Sequence, residues 1–361
     1  MSATVELAAA LAARGHAVSL ISFDAPGAAF LKDTPAGLTV FALGPAYSSY
    51  GFLPGLRRKL GRLPAFDVIV LNGLWLHSTY GVARWAQKNN VPYVLFPHGM
   101  LDPYFHRFPL KYLKKLVYWN LFERHTARHA AALAYTTPSE LALAQRAFPH
   151  FSPTHQEVVG LGLRSCGVPL SAAKAAFWER FPALKEKPFI LYLSRFDEKK
   201  APDLLLRALK EFPALHLVMA GPPEGSAYYK TLQVLAPAGQ VTWTGMITGP
   251  LKWGVFAAAQ GLVLPSHQEN FGMVVAEALS VGTPVLVSDQ VALATDVMRY
   301  RCGFVEHDTL PGVRSLLRQF TQLTPDDMPS LRERALLCYK DNYQPSTVAA
   351  RMEALLEKMK K

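Results

Sequence analysis

The 361-residue sequence is poor in cysteine: Cys166, Cys302 and Cys338 are odd in number and far apart. That spacing excludes a disulfide framework and a cysteine-based zinc site, and it fits a reducing, cytoplasmic setting. Charge is also scarce. Asp, Glu, Lys and Arg make up 18% of residues and apolar ones 50%, against roughly a quarter charged in an average soluble protein. This composition excludes a disordered chain or a coiled coil. No run reaches the roughly 18 uncharged apolar residues of a membrane-spanning helix; Glu277 interrupts one of the most apolar windows, 273–288. The opening Met-Ser-Ala-Thr-Val-Glu has no basic stretch and sets Glu6 where a signal peptide is apolar, so export is not expected. Internal repeats and low-complexity tracts are missing.

Acidic residues are short in one half only. Residues 1–187 hold 20 Lys and Arg against 10 Asp and Glu, and residues 188–361 hold 18 against 17. Of the net +11, then, +10 lies in the first half. The basic residues gather at Arg57, Arg58, Lys59 and Arg62, and again at Arg107, Lys111, Lys114, Lys115, Arg124 and Arg128. Phe105, Phe108, Tyr112, Tyr118, Trp119 and Phe122 interleave the second group. Cations mixed with aromatics suit an anionic membrane surface or an anionic lipid-linked substrate. A core helix with a solvated basic face would show the same spacing. Nucleic acid is not expected as a partner, because no zinc-finger or RNP-like signature accompanies the charge.

At roughly 150 residues per domain the chain has room for two or three. Ala3, Leu7, Ala10 and Leu11 followed by Gly15 predict an opening amphipathic helix, and Val18 to Phe23 a strand. Short apolar runs then alternate with helical patterns: 68–71, 91–96 and 131–135 in the first half, and 189–193, 215–220, 241–243, 261–264 and 284–287 in the second. Alternation of this kind predicts parallel sheets with crossover helices. Residues 160–187, with Gly162, Gly167, Pro169 and Lys185-Glu186-Lys187, read as a linker. In open parallel sheets ligands bind beyond the carboxyl ends of the strands. Those ends read Asn72-Gly73, Pro97-His98-Gly99, Ser194-Arg195, Gly221-Pro222, Thr244-Gly245, Pro265-Ser266 and Ser288-Asp289. Small, polar or basic residues at each suit a polyanionic ligand.

The most informative stretch runs from Pro265 to Asp289. Ser266, Glu269, Asn270-Phe271-Gly272, Glu277-Ala278, Gly282 and Pro284-Val285 lie in one register between two predicted strands, with a helix between them. Gly272 admits close backbone approach, and the N–H groups of Phe271, Gly272 and Met273 open a helix whose N-terminus favours phosphate. Glu269 precedes the helix, in reach of a bound sugar. Glu277 lies about one turn in, where a carboxylate accepts both hydroxyls of a ribose; a buried carboxylate paired with a lysine is the alternative. In this register the chain resembles the family 4 glycosyltransferases, retaining GT-B enzymes that take a sugar from a nucleotide diphosphate.

The resemblance implies further roles. Arg195 and Lys200 stand where the family has a diphosphate clamp, with Ala201 in place of the usual Gly and Lys199 as the rival for Lys200; two such cations would stabilise the leaving charge. Gly221-Pro222-Pro223 and Gly245-Met246-Ile247 match the loops that receive the nucleobase, with uracil and guanine both open. No Asp-x-Asp occurs, so no metal and no cofactor is expected, the nucleotide-diphosphate sugar being a substrate. In the first half, the segments 66–73 and 92–103 resemble the acceptor-side domain of bacterial polysaccharide-building members, and His98 is the candidate for positioning the reacting centre. Glu140 also matches a family position, although helix capping of the Ser139 type explains it equally. The family begins with a strand and a Gly-Gly loop before a helix ending Arg-Gly-His-x-Val. Here Arg14-Gly15-His16-Ala17-Val18 ends the first helix, so the first sheet strand is expected to be missing.

These readings give an α/β chain of two Rossmann-like domains facing a central cleft. Residues 1–165 are expected on the acceptor side, 166–343 as the donor-binding domain, and 344–361 as a helix crossing back to the first. The expected activity is hexose transfer, with retention, from a nucleotide-sugar to a glycan or lipid-linked acceptor in envelope or exopolysaccharide synthesis, at the cytoplasmic side of a membrane. A catalytically silent nucleotide-sugar-binding protein and a GT-B sugar-nucleotide epimerase are the alternatives. Arg107, Lys111, Lys114 and Lys115 are the expected membrane or acceptor-side residues.

Overall fold

A computed structural model of the chain describes residues 3–29, 31, 34–153, 155–222 and 225–359. Its strands are β1 (Val18–Ser22), β2 (Leu38–Ala42), β3 (Ile69–Asn72), β4 (Tyr93–Phe96), β5 (Ala132–Tyr135), β6 (Gln156–Val158), β7 (Phe189–Leu193), β8 (His216–Ala220), β9 (Val241–Gly245), β10 (Gly261–Leu264), β11 (Val285–Ser288) and β12 (Gly303–Glu306). Every strand pairing is parallel. Runs such as Tyr-Val-Leu-Phe in β4 and Gly-Leu-Val-Leu in β10 are buried along their whole length, which is why they read as unbroken apolar stretches with no alternation.

The chain divides into two compact units, one of residues up to Gly162 together with those from Pro345, the other Leu163–Gln344. In the first, β3-β4-β5-β6 form a four-stranded sheet while β1 and β2 pair only with each other. Among the described residues no strand joins the two pieces. Each residue of β1 stays half-buried, whereas β4 and β5 are buried throughout. The C-terminal helix Pro345–Glu357 packs Val348, Ala349, Met352 and Leu355 against Leu7, Leu11, Val94 and Ala134 of this unit. Its Glu353 accepts hydrogen bonds from Arg14 Nε at 2.8 Å and meets His16 Nε2 at 2.7 Å, so the Arg-Gly-His segment anchors the returning helix.

In the second unit the strand order is β12-β11-β10-β7-β8-β9. Counted from β7 this is 6-5-4-1-2-3, the doubly wound order that leaves a crevice between the first and fourth strands, where successive crossovers depart in opposite directions. That switch point lies between β7 and β10.

One expectation is corrected. Residues 160–187 are not all linker, because Leu170–Arg180 is a helix whose Ala173 and Phe177 are buried. An added Cβ on Gly254 would meet Ala173 O at 2.2 Å, so the helix Gly249–Ala258 packs against it almost backbone to backbone. Glycines and charges at the ends of 160–187 hide the i, i+4 apolar pair in the middle.

Candidate active site

The second unit gathers most of the expected residues at the carboxyl ends of its strands. The loops after β7, β8 and β9 are joined by backbone bonds: Ser194 N to Ala220 O at 3.1 Å, Phe196 N to Pro222 O at 2.7 Å and Gly221 N to Gly245 O at 3.0 Å. Gly221 has φ +149°, and a Cβ there would stand 1.8 Å from Ser194 O. Only glycine permits so close an approach. Gly245 is also left-handed, with φ +71°; Met246 is exposed and Ile247 buried. Pro223 lies outside the described residues.

At the switch point, a turn at Glu198–Lys200 follows β7 and the 265–273 loop follows β10. His267 N donates to Lys199 O at 2.8 Å, and Lys200 Nζ forms an ion pair with the Glu269 carboxylate, 69 residues away in sequence. The backbone of Glu269 is fixed against the loop after β11, its N–H donating to Gln290 O at 3.2 Å and its carbonyl accepting from Ala292 N at 3.1 Å. Arg195 is exposed just beyond β7. Asn270 and Met273 are exposed, while Phe271 is buried edge-on to Tyr343 with ring centroids 5.7 Å apart.

Gly272, φ +91°, caps the helix Met273–Ser280. A Cβ there would meet Val291 Cγ1 at 3.2 Å and Glu269 Cγ at 3.4 Å. The first N–H groups of this helix have no acceptor within it, and a helix N-terminus of this kind favours an anion. Ala201 takes the left-handed conformation, φ +48°, which explains the usual Gly at that position. Glu277 accepts from Lys252 Nζ at 2.7 Å. Glu277, half-buried, thus meets a cation in the structure, and Lys252, 25 residues away on another helix, carries no local signal in the sequence. Among the described residues no group of three or more His, Cys, Asp or Glu is arranged to hold a metal ion.

In the first unit, His98 sits at the end of β4 with φ +52°, stacked on Phe96 at 4.2 Å between centroids. Burial pushes its pKa down to about 4, so the ring is neutral at physiological pH. Its Nε2 lies 2.8 Å from Asn72 Oδ1, which makes Nε2 the donor and leaves Nδ1 as the acceptor. Asn72, at the end of β3, thereby fixes the tautomer. Glu140 holds the same turn from below, accepting from Gly99 N at 2.5 Å and from Thr136 N at 2.7 Å. Burial raises its pKa, against the pull of these donors. The cap of its helix is Thr137, whose Oγ1 accepts from Glu140 N at 3.0 Å; Ser139 already lies inside the helix Pro138–Ala144.

Of the expected basic residues, Arg107, Lys111 and Lys114 are exposed. Lys115 is not part of that outer surface. Its Nζ lies 4.3 Å from the Trp75 ring centroid and 4.5 Å from that of Phe105, and burial lowers its pKa to about 8. Trp75, φ +69°, donates its N–H to the fully buried Glu123 at 2.7 Å. Desolvation raises the Glu123 pKa to about 7.

Comparison with known proteins fits this geometry. Residues 2–162 match the family described as "Glycosyl transferase 4-like domain" and residues 176–333 match "Glycosyl transferases group 1". A D-inositol 3-phosphate glycosyltransferase of Mycobacteroides abscessus is 33% identical over 138 residues, 37% of this chain and 31% of that protein. The match thus spans about a third of that relative's length. Sucrose-phosphate synthase from Thermosynechococcus elongatus superimposes with a TM-score of 0.73 at 19% identity, over 98% of this chain and 92% of that one. Anabaena HepE, solved with UDP and glucose, gives 0.70 at 17% identity, over 98% and 95%. With both domain families matched in order along most of its length, the chain belongs to the GT-B glycosyltransferases of family 4, group 1.

Proposed function

We propose that this glycosyltransferase moves a hexose from a nucleotide-diphosphate sugar, with retention, to a glycan or lipid-linked acceptor in envelope or exopolysaccharide synthesis. The observation that carries the reading is the meeting of the loops after β7 and β10 at the switch point, where Lys200 and Glu269 contact each other and Glu269 lies against Gly272, the cap of the helix Met273–Ser280. In this reading the diphosphate lies over that helix N-terminus. Arg195 and Lys200 stabilise its growing charge as the C1–O bond to phosphate breaks. Glu269 orients the sugar, Glu277 exchanges Lys252 for the ribose hydroxyls, and Gly221, Pro222, Gly245 and Met246 border the base.

The acceptor hydroxyl attacks C1 from the face the phosphate leaves. Its proton passes to a leaving phosphate oxygen, so no carboxylate acts as nucleophile. His98, neutral and held by Asn72, offers Nδ1 as acceptor for a hydroxyl of the reacting sugar. The HepE structure holds UDP and glucose, which makes UDP-glucose the first donor to try. The test is release of nucleotide diphosphate from a panel of UDP- and GDP-sugars with and without glycan or lipid-linked acceptors. Acceptor-dependent release with the anomeric configuration kept supports the reading. Donor binding without release would make the chain a silent nucleotide-sugar-binding protein, and release without acceptor would favour the epimerase.

A further inference from the structure

The helix Pro109–Tyr118 and the π turn Trp119–Glu123 that continues it have two apolar faces. The inner one is accounted for: Tyr112, Leu116 and Trp119 pack on the core of the first unit. The outer one is not. Leu110 is 86% exposed, Leu113 57%, Val117 53% and Leu121 63%, and their spacing of three, four and four residues aligns them in one stripe along the surface. On an ordinary surface helix those positions are polar. Scattered exposed leucines need no explanation, but an aligned stripe of them marks an interaction site.

Charge identifies what covers it. Lys114 borders the stripe, Lys111 flanks it and Arg107 lies one turn before it, all exposed, and no Asp or Glu occurs from residue 103 to 122. A second copy of this chain would bring the same lysines face to face, whereas an anionic bilayer offers acyl chains to the leucines and phosphates to the cations. The segment from 109 to 121 is about 20 Å long at 1.5 Å per residue, too short to cross a bilayer, and no helix among the described residues is long and apolar enough to do so. We propose that this face lies in the plane of an anionic membrane, with Leu110, Leu113, Val117 and Leu121 inserted among the lipids and Arg107, Lys111 and Lys114 at the headgroups. The anchor is thus chiefly apolar, and the cations select the lipid. The inference does not depend on the sugar-transfer reading.

Flotation with vesicles of phosphatidylcholine alone, or mixed with phosphatidylglycerol, tests it in the full chain. Wild type binds the mixed vesicles at low salt and keeps part of that binding as salt rises. Leu110→Ser, Leu113→Ser, Val117→Ser and Leu121→Ser combined lower partitioning at least about tenfold, with an unchanged unfolding temperature because these side chains face water. Lys111→Glu with Lys114→Glu removes the preference for anionic lipid. In Leu113→Trp, emission shifts to the blue on mixed vesicles and is quenched by brominated acyl chains beyond the wild-type background. Equal flotation of the serine variant and wild type, or none by wild type at low salt, would overturn the proposal. So would a dimer that the same serines dissociate without any vesicle binding.

Discussion

The two units hold their strand-end loops in different ways. In the second, the sheet is continuous, and neighbouring loops are fixed to each other through backbone bonds and glycine contacts, as at Gly221 against Ser194. In the first, the sheet is split between β1-β2 and β3-β6. Its loops are held by polar side chains: the buried carboxylates of Glu140 and Glu123 reach in from helical turns to Gly99 and Trp75, and Asn72, at the end of β3, meets His98. A loop fixed by sterics tolerates pH change but not an added methyl group. A loop fixed by buried carboxylates is sensitive to the proton.

The contrast is broken most severely at Gly221. Gly221→Ala drives a Cβ into Ser194 O, 1.8 Å away in the present backbone, and the expected loss is on the order of 3 kcal/mol or more of stability. Denaturant unfolding of the variant checks this, and a wild-type midpoint would refute the steric account. Next comes the carboxylate pair of the second unit. Glu277→Ala is expected to weaken binding of the free nucleotide diphosphate by roughly 1 to 3 kcal/mol, while Glu269→Ala spares that binding and loses transfer. Calorimetric titration with UDP and GDP separates the two, and equal affinities in both variants and wild type would remove Glu277 from the ribose.

The smallest effect sharpens the comparison from the first unit. The Glu123 pKa is raised from 4.5 to about 7, so the stability its proton contributes is fully present below about pH 4.5 and lost as pH rises through about 7. Glu123→Gln keeps an acceptor for Trp75 N but removes the proton. Between pH 5 and 8 wild type should lose on the order of 2 kcal/mol more stability than the variant. Parallel pH profiles for the two would show that Glu123 is ionised throughout.

Much of this was legible in the sequence wherever a local pattern carried it. The apolar runs locate nine of the strands to within a residue or two, because strands buried on both faces need continuous apolar residues. Three strands carry weaker patterns. β6 is Gln-Glu-Val, β12 is Gly-Phe-Val-Glu with every residue half-buried, and β2 has Thr39 exposed. The register of Ser266, Glu269, Gly272 and Glu277 located the switch-point loop because the chemistry is contiguous there. Lys252 beside Glu277 and Glu123 beneath Trp75 were not legible, since each partnership joins distant segments through tertiary packing. The inward turn of Lys115 was hidden for another reason. A lysine's long stem buries readily against aromatic rings, so its sequence position alone does not tell which way the charge points.

The most direct test of the account is donor turnover in Lys200→Ala and Lys199→Ala side by side. If Lys200, beside Glu269 at the β7–β10 switch point, stabilises the leaving diphosphate, its removal lowers kcat by roughly 10² to 10³ with a much smaller change in donor affinity, and Lys199→Ala stays near wild type. Wild-type turnover in Lys200→Ala, or the large loss appearing in Lys199→Ala instead, would contradict the assignment.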